Sequence, residues 1–242
     1  MPHRREWRGD AAVAIAAAKP VAITVNDATR VSGLLQVPPK ALACCVLAHG
    51  AGAGMDHPFM RAVSDGLAHR ALATLRYQFP YMERGGKRPD SPQLAQVAVR
   101  AAVAAAFGLL PGLPLIAGGK SFGGRMTSQA QAKAPLAGVR GLASLGFPLH
   151  PAGRPSRERA AHLFDVKIPM LFLQGTNDKL AALDELEPLC KSLGKRTTLK
   201  LFADADHSFH VPARSGRKDT EILAEVLDAL AAWLNRVIMR TK

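Results

Sequence analysis

Leu113-Pro114-Leu115-Ile116-Ala117-Gly118-Gly119-Lys120-Ser121-Phe122-Gly123-Gly124-Arg125 passes from an apolar run, through a serine set between glycines, into a segment of helical character. The run Leu113–Ala117 reads as a buried strand, and the residues after Ser121 read as a helix ending before Pro135. Between them, Gly119-Lys120-Ser121-Phe122-Gly123 is a G-x-S-x-G pattern at a strand-to-helix turn. There the glycines have a mechanical role: the backbone must pass its neighbours closely on both sides while Ser121 is pushed out at the carboxyl edge of a sheet. Ser121 is the candidate nucleophile, with Gly119 and Gly123 as the glycines of its turn. The plain alternative is a serine that caps a helix.

Outward from this turn the chain alternates between the two periodicities. Upstream, Val21–Val25 and Val31–Val37 read as a hairpin turning at Asn26-Asp27, and Ala43–Ala48 as a buried strand. Pro58–His69 reads as a helix, Ala71–Tyr77 as a strand and Pro92–Leu109 as a long alanine-rich helix. Downstream come strands at Val139–Leu145, Ile168–Gln174 and Thr197–Phe202, with helices near Ala182–Leu193 and Asp219–Val237. Such alternation builds a mostly parallel sheet covered on both faces. Glu83–Pro92 and Pro148–Arg159, rich in Pro, Gly and Arg, read as loops. No repeat or linker divides the chain, so residues 21–242 are expected to form one domain after a tail at 1–20.

A serine hydroxyl needs an imidazole to take its proton and a carboxylate to hold that imidazole's tautomer. Asp178 follows a strand in Gln174-Gly175-Thr176-Asn177-Asp178, and His207 follows the next in Asp204-Ala205-Asp206-His207-Ser208-Phe209. The order Ser, Asp, His is the one an elbow of this type uses. Asp165, Asp204 and Asp206 are rival acids, and His150 and His210 rival bases. Two backbone donors would complete the site: the Phe122 N–H at the start of the following helix, and the Ala51 N–H, or else that of Gly52, in the loop His49-Gly50-Ala51-Gly52-Ala53-Gly54. His49 and His57 read as structural, holding that loop, and Lys120 as a lysine paired to a nearby carboxylate or else as one that attracts an anionic substrate. Arg84, Lys87, Arg88, Arg154, Arg157 and Arg159 read as solvated loop charge.

With 242 residues, 48% of them apolar and 21% charged, the chain has ample material for a core. Three cysteines make no disulfide framework, and adjacent Cys44 and Cys45 point to opposite faces of a strand, so a reduced, cytoplasmic compartment is expected. The eight histidines are scattered, and neither a metal nor a cofactor is expected. Glu6 and Asp10 spoil the basic flank of Ala11–Ala18 as a secretion signal, and every long apolar run is broken by Gly, Pro or charge, so no membrane partner is expected. The net charge of +13, from 32 basic against 19 acidic residues, admits an anionic partner. No aromatic-basic interleaving appears, which disfavours nucleic acid. Nothing in the sequence speaks to oligomeric state.

Leu47-Ala48-His49-Gly50-Ala51-Gly52-Ala53-Gly54-Met55-Asp56-His57, Arg76-Tyr77-Gln78-Phe79-Pro80-Tyr81 and Gly119–Arg125, taken with Asp178 and His207, resemble the α/β-hydrolase superfamily. More narrowly they resemble a small group related to dienelactone hydrolases, testis-expressed hydrolase-like proteins and a chromatin-complex subunit. The resemblance implies an eight-stranded, mostly parallel sheet and serine-hydrolase chemistry. Ser121 stands where dienelactone hydrolases carry a cysteine. Only about 20 residues separate the strands ending near Leu145 and starting at Ile168, too few for a helical lid. The expectation is a serine hydrolase acting on a small acyl substrate. The alternative is a binding or scaffold protein on the same fold, with an anionic partner.

Overall fold

The computed structural model describes residues 17–239. Residues 1–16, which hold most of the expected tail and of the alanine run weighed as a signal, lie outside the described residues. Eight strands follow in chain order: β1 (Lys19–Asn26), β2 (Thr29–Gln36), β3 (Ala43–Ala48), β4 (Leu72–Tyr77), β5 (Leu115–Lys120), β6 (Val139–Leu145), β7 (Met170–Gly175) and β8 (Thr197–Phe202). They form one sheet in the order β1-β2-β4-β3-β5-β6-β7-β8. β2 runs antiparallel to both β1 and β4, and every pairing from β4 through β8 is parallel. The helices are α1 (Pro58–Ala68), α2 (Pro80–Glu83), α3 (Pro92–Leu109), α4 (Phe122–Lys133), α5 (Leu183–Leu193) and α6 (Asp219–Met239).

Every residue of β3, β4 and β7 is buried, as strands covered on both faces require. Cys44 belongs to the core beneath α3 and α4, whereas Cys45 belongs to the core beneath α1 and α6. The side-chain period of two separates them. α3 begins where its sequence says it should: Ser91 accepts a hydrogen bond from the Leu94 N–H at 3.3 Å, and Pro92 opens the first turn. This helix is long and apolar enough to cross a membrane by length and composition alone. It lies instead against the sheet, burying Ala95, Ala98, Val99, Ala102, Val103 and Ala106.

Three local expectations need correction. β1 starts at Lys19, inside the expected tail, because Lys19 and Pro20 pair with Leu35 and Leu34 along the sheet edge. Both are exposed, so no apolar signal marks them. β5 runs from Leu115 to Lys120 rather than Leu113 to Ala117: Leu113 closes a turn onto the Leu110 carbonyl, and Gly118 and Gly119 continue the ladder beside Leu47 and Ala48. The glycines are strand residues because two neighbouring strands press against their backbone. Finally, Glu158–Asp165 forms a 3-10 helix that overlaps the end of the expected loop at Pro148–Arg159. Among the described residues it is the only helix between β6 and β7, and no large cap stands there.

Candidate active site

The turn after β5 places Ser121 in a conformation that a side chain rarely adopts, φ 50° and ψ −114°. Such strain costs on the order of 1–3 kcal/mol and persists only where its surroundings impose it. Here the surroundings are backbone. A Cβ on Gly119, whose φ is 153°, would stand 2.1 Å from the Ala48 carbonyl oxygen, and one on Gly123 would stand 2.5 Å from the same oxygen. Ser121 occupies the N-cap position of α4, yet its side chain makes no capping hydrogen bond. Its Oγ lies 2.8 Å from His207 Nε2 instead.

His207 Nδ1 in turn lies 2.6 Å from Asp178 Oδ2. The Asp178 side chain is wholly buried and that of His207 is 22% exposed. The structure thus brings Ser121, His207 and Asp178 into one hydrogen-bonded line from the carboxyl ends of β5, β8 and β7. The rival acids and bases lie elsewhere. His210 pairs with Asp219 at 2.8 Å, and His150 is held between the Pro151 carbonyl and the Ala182 N–H. Asp165 ends the 3-10 helix, Asp204 sits in a turn at φ 60°, and the Asp206 carboxylate accepts from the Ser208 and His210 N–H groups, shaping the loop that carries His207.

Asp178 does not cap the helix that follows it: α5 begins only at Leu183 and its N-cap is Ala182. Asp178 Oδ1 does accept the Leu180 N–H at 2.8 Å, which fixes the carboxylate while its other oxygen faces His207. Gln174 Nε2 also donates to Asp178 Oδ2, and Gln174 Oε1 accepts the Phe147 N–H at 2.9 Å. Sequence reasoning passed over Gln174. A readable signal was present, a glutamine directly after the apolar run Met170-Leu171-Phe172-Leu173, and the fold buries it fully. Buried amides of that kind need partners.

Lys120 corrects another expectation. Among the described residues it is paired to no carboxylate; its Nζ donates to the backbone carbonyl of His207 and stands 5.6 Å from the Phe209 ring centroid and 5.9 Å from that of Phe59. Burial pushes its amine down to about 8, with Asp178 and Asp206 opposing. The group remains charged at neutral pH and ties the end of β5 to the histidine loop. The loop basic residues meet the bland expectation in part: Arg84 pairs with Asp90 at 2.7 Å, and Arg157 with Glu185.

Phe122 begins α4, where backbone N–H groups have no partner within the helix and carry partial positive charge. The Gly50 backbone passes over the serine, with a Cβ built on it 3.8 Å from Ser121 Cβ. Among the described residues neither the Phe122 N–H nor the Ala51 N–H donates a hydrogen bond. The Gly52 backbone lies against the Tyr81 hydroxyl. His49 holds this loop from inside: its Nδ1 lies 2.8 Å from the Gly50 carbonyl and its Nε2 accepts the Phe79 N–H at 3.0 Å.

Burial pushes the His49 imidazole down to about 4, with the Gly50 carbonyl opposing. Burial and the neighbouring Arg125 push His162 to about 4 as well. Below pH 6.5 the unfolded chain takes up protons that these rings refuse in the fold until about pH 4. Stability is therefore complete above 6.5 and falls as pH drops toward 4, by up to about 3 kcal/mol per ring at about 1.4 kcal/mol per unit. Urea unfolding between pH 7 and 4.5 is expected to show this decline, and His49→Gln to remove about half of it. An unchanged slope in the variant would refute the assignment.

Residues 41–235 match the family described as alpha/beta hydrolase domain. Among solved structures, the chain is similar to a dienelactone hydrolase from Anabaena variabilis, with 22% identity and a TM-score of 0.73 over 90% of this chain and 97% of that one. It is similar to a Xanthomonas campestris protein described as a serine hydrolase without lid, at 18% identity and TM-score 0.69, covering 90% and 95% of the two chains. It is also similar to Est1E from Butyrivibrio proteoclasticus in a structure with ferulic acid bound, at 18% identity and TM-score 0.70, covering 90% and 99%. At these identities the likeness is one of fold.

Proposed function

Because the chain belongs to the alpha/beta hydrolase domain family, we propose that it is a serine hydrolase of carboxylesterase type, acting on small acyl substrates. The observation that carries this reading is the continuous line from Ser121 Oγ through His207 to Asp178, at 2.8 Å and 2.6 Å. His207 Nε2 takes the Ser121 proton as Oγ attacks the acyl carbonyl. Asp178 holds the Nδ1–H tautomer and stabilises the imidazolium that forms. The Phe122 and Ala51 N–H groups receive the oxyanion, each donor contributing roughly 2.7–4 kcal/mol to the transition state. His207 then protonates the departing alcohol, leaving an acyl-Ser121 ester. Water, deprotonated by the same imidazole, hydrolyses that ester and restores the serine.

The short segment between β6 and β7 leaves the mouth of the site uncapped, which supports small or surface-accessible acyl groups. The three cysteines are buried free thiols, which supports a reducing, cytoplasmic compartment. A fluorophosphonate probe is expected to label the wild-type protein and to leave Ser121→Ala unlabelled. Aryl esters of short acyl chains should turn over faster than those of long chains. Folded protein that takes no label would defeat the proposal and favour the binding-protein alternative. A marked preference for long chains would overturn the small-substrate class.

A further inference from the structure

At the amino-terminal ends of the parallel strands, opposite the candidate active site, two grooves adjoin. One, of about 780 Å³, is lined by the apolar side chains of Leu42, Phe107, Leu113, Ile238 and Met239. Leu42, Phe107 and Met239 are 52%, 52% and 73% exposed, so large apolar groups stand together in water. The other, of about 580 Å³, is lined by Arg140, Lys167, Lys195, Arg196 and Arg236 over a floor that includes Trp233 and Val237. Among the described residues neither groove has an acidic lining residue, and Arg140 lines both.

Cations are also welcome at this edge for a plainer reason, since exposed backbone carbonyls collect there. Lys167 Nζ and Arg196 Nη2 both donate to the Phe164 carbonyl, at 3.0 and 3.3 Å. That accounts for two of the five. The side chains of Arg140, Lys195 and Arg236 make no hydrogen bond or ion pair among the described residues, and the Arg196 Nε is buried without a partner. Elsewhere Arg61 is matched by Asp56 and Arg84 by Asp90, whereas Arg30, Arg88, Arg154, Arg159 and Arg214 are also without a carboxylate among the described residues; what sets this edge apart is that five cations line one groove. Five like charges with no acidic neighbour among the described residues repel one another, and an anion that joins them relieves that repulsion.

We propose that this edge binds an anionic amphiphile, a single acyl chain in the apolar groove and a phosphate monoester head among the five cations. A phosphate monoester carries about −1.5 to −2 at neutral pH and accepts several charge-assisted hydrogen bonds. Both volumes fall in the range of small-molecule sites, roughly 300–1,000 Å³. Two concave grooves suit one free molecule, whereas a bilayer surface calls for protruding apolar groups on a broad basic face.

Monomeric oleoyl lysophosphatidate, kept below its micellar concentration, is the probe. Calorimetry is expected to show one molecule bound per chain, with glycerol 3-phosphate and neutral oleoylglycerol each binding at least about 10-fold more weakly. The double variant Lys195→Glu/Arg236→Glu and, separately, Leu42→Asp should each weaken lysophosphatidate binding about 10-fold or more while keeping fluorophosphonate labelling of Ser121 and an unchanged melting temperature. Retained melting with wild-type affinity in both variants would overturn the proposal, as would the absence of binding to the wild type. Sedimentation with phosphatidate-containing vesicles without binding of the monomeric lipid would overturn it in favour of a membrane surface. Because labelling reads the active site by itself, failure here leaves the hydrolase reading standing, and failure of labelling leaves this site testable.

Discussion

His207→Ala is expected to lower kcat toward a short-chain aryl ester by up to about 10⁶-fold, the loss typical when one member of a nucleophile–base pair is removed. The geometry behind that figure is the single imidazole lying 2.8 Å from Ser121 Oγ and 2.6 Å from Asp178 Oδ2. In the proposed mechanism serine and histidine act as one unit, so adding Ser121→Ala to His207→Ala should cost almost nothing further. Asp178→Asn should be milder, about 10⁴-fold, since it leaves the base in place but favours the wrong tautomer. The check is single-turnover kinetics on the three single variants and the double. Two losses that multiply independently, or a His207→Ala variant with a tenth of wild-type activity, would mean that the catalytic base lies elsewhere.

The second large effect is on stability. A Cβ on Gly118 would stand 1.8 Å from the Ala143 carbonyl oxygen, a backbone atom of the neighbouring strand β6 that cannot turn aside as a flexible side chain could. Gly118→Ala must open the ladder in the middle of the sheet, one residue from the strained turn. We expect a loss of at least about 4 kcal/mol, in the rare tail of single substitutions. For a chain of this size that lowers Tm by roughly 10 °C or more. Gly108→Ala supplies the contrast: nothing lies within 4 Å of its would-be Cβ and it sits in helix α3, so the change should stabilise by about 0.5–1 kcal/mol. Thermal melts of both variants settle the matter. A Gly118→Ala protein melting within a few degrees of wild type would show that the sheet yields more easily than its geometry implies.

Much of this arrangement is readable along the chain. α3 spans Pro92–Leu109 as its cap, proline and apolar spacing indicate, and β3, β6 and β8 occupy the ranges that their apolar runs mark. These signals are local: a side-chain period of two or 3.6, a serine able to cap, a proline suited to a first turn. The candidates Ser121, Asp178 and His207 are legible for a similar reason, since each lies in the connection just after a strand and parallel strands deliver their carboxyl ends to one edge. The edge strand β1 was misjudged at its start and β5 at both ends, because pairing partners rather than side-chain pattern decide where a ladder stops.

By itself, then, the sequence determined the layered sheet, the order in which its strands and helices appear, and which three side chains stand at strand ends, since all of these follow from short-range pattern. Tertiary structure decided what pattern cannot encode. It turned Lys120 away from carboxylates and onto the His207 carbonyl, set Gln174 behind Asp178, and gathered Arg140, Lys167, Lys195, Arg196 and Arg236 from four separate elements and connections into one groove. Each of those contacts joins residues far apart in the chain, and a partner's identity is set by the close packing of strands and helices in space.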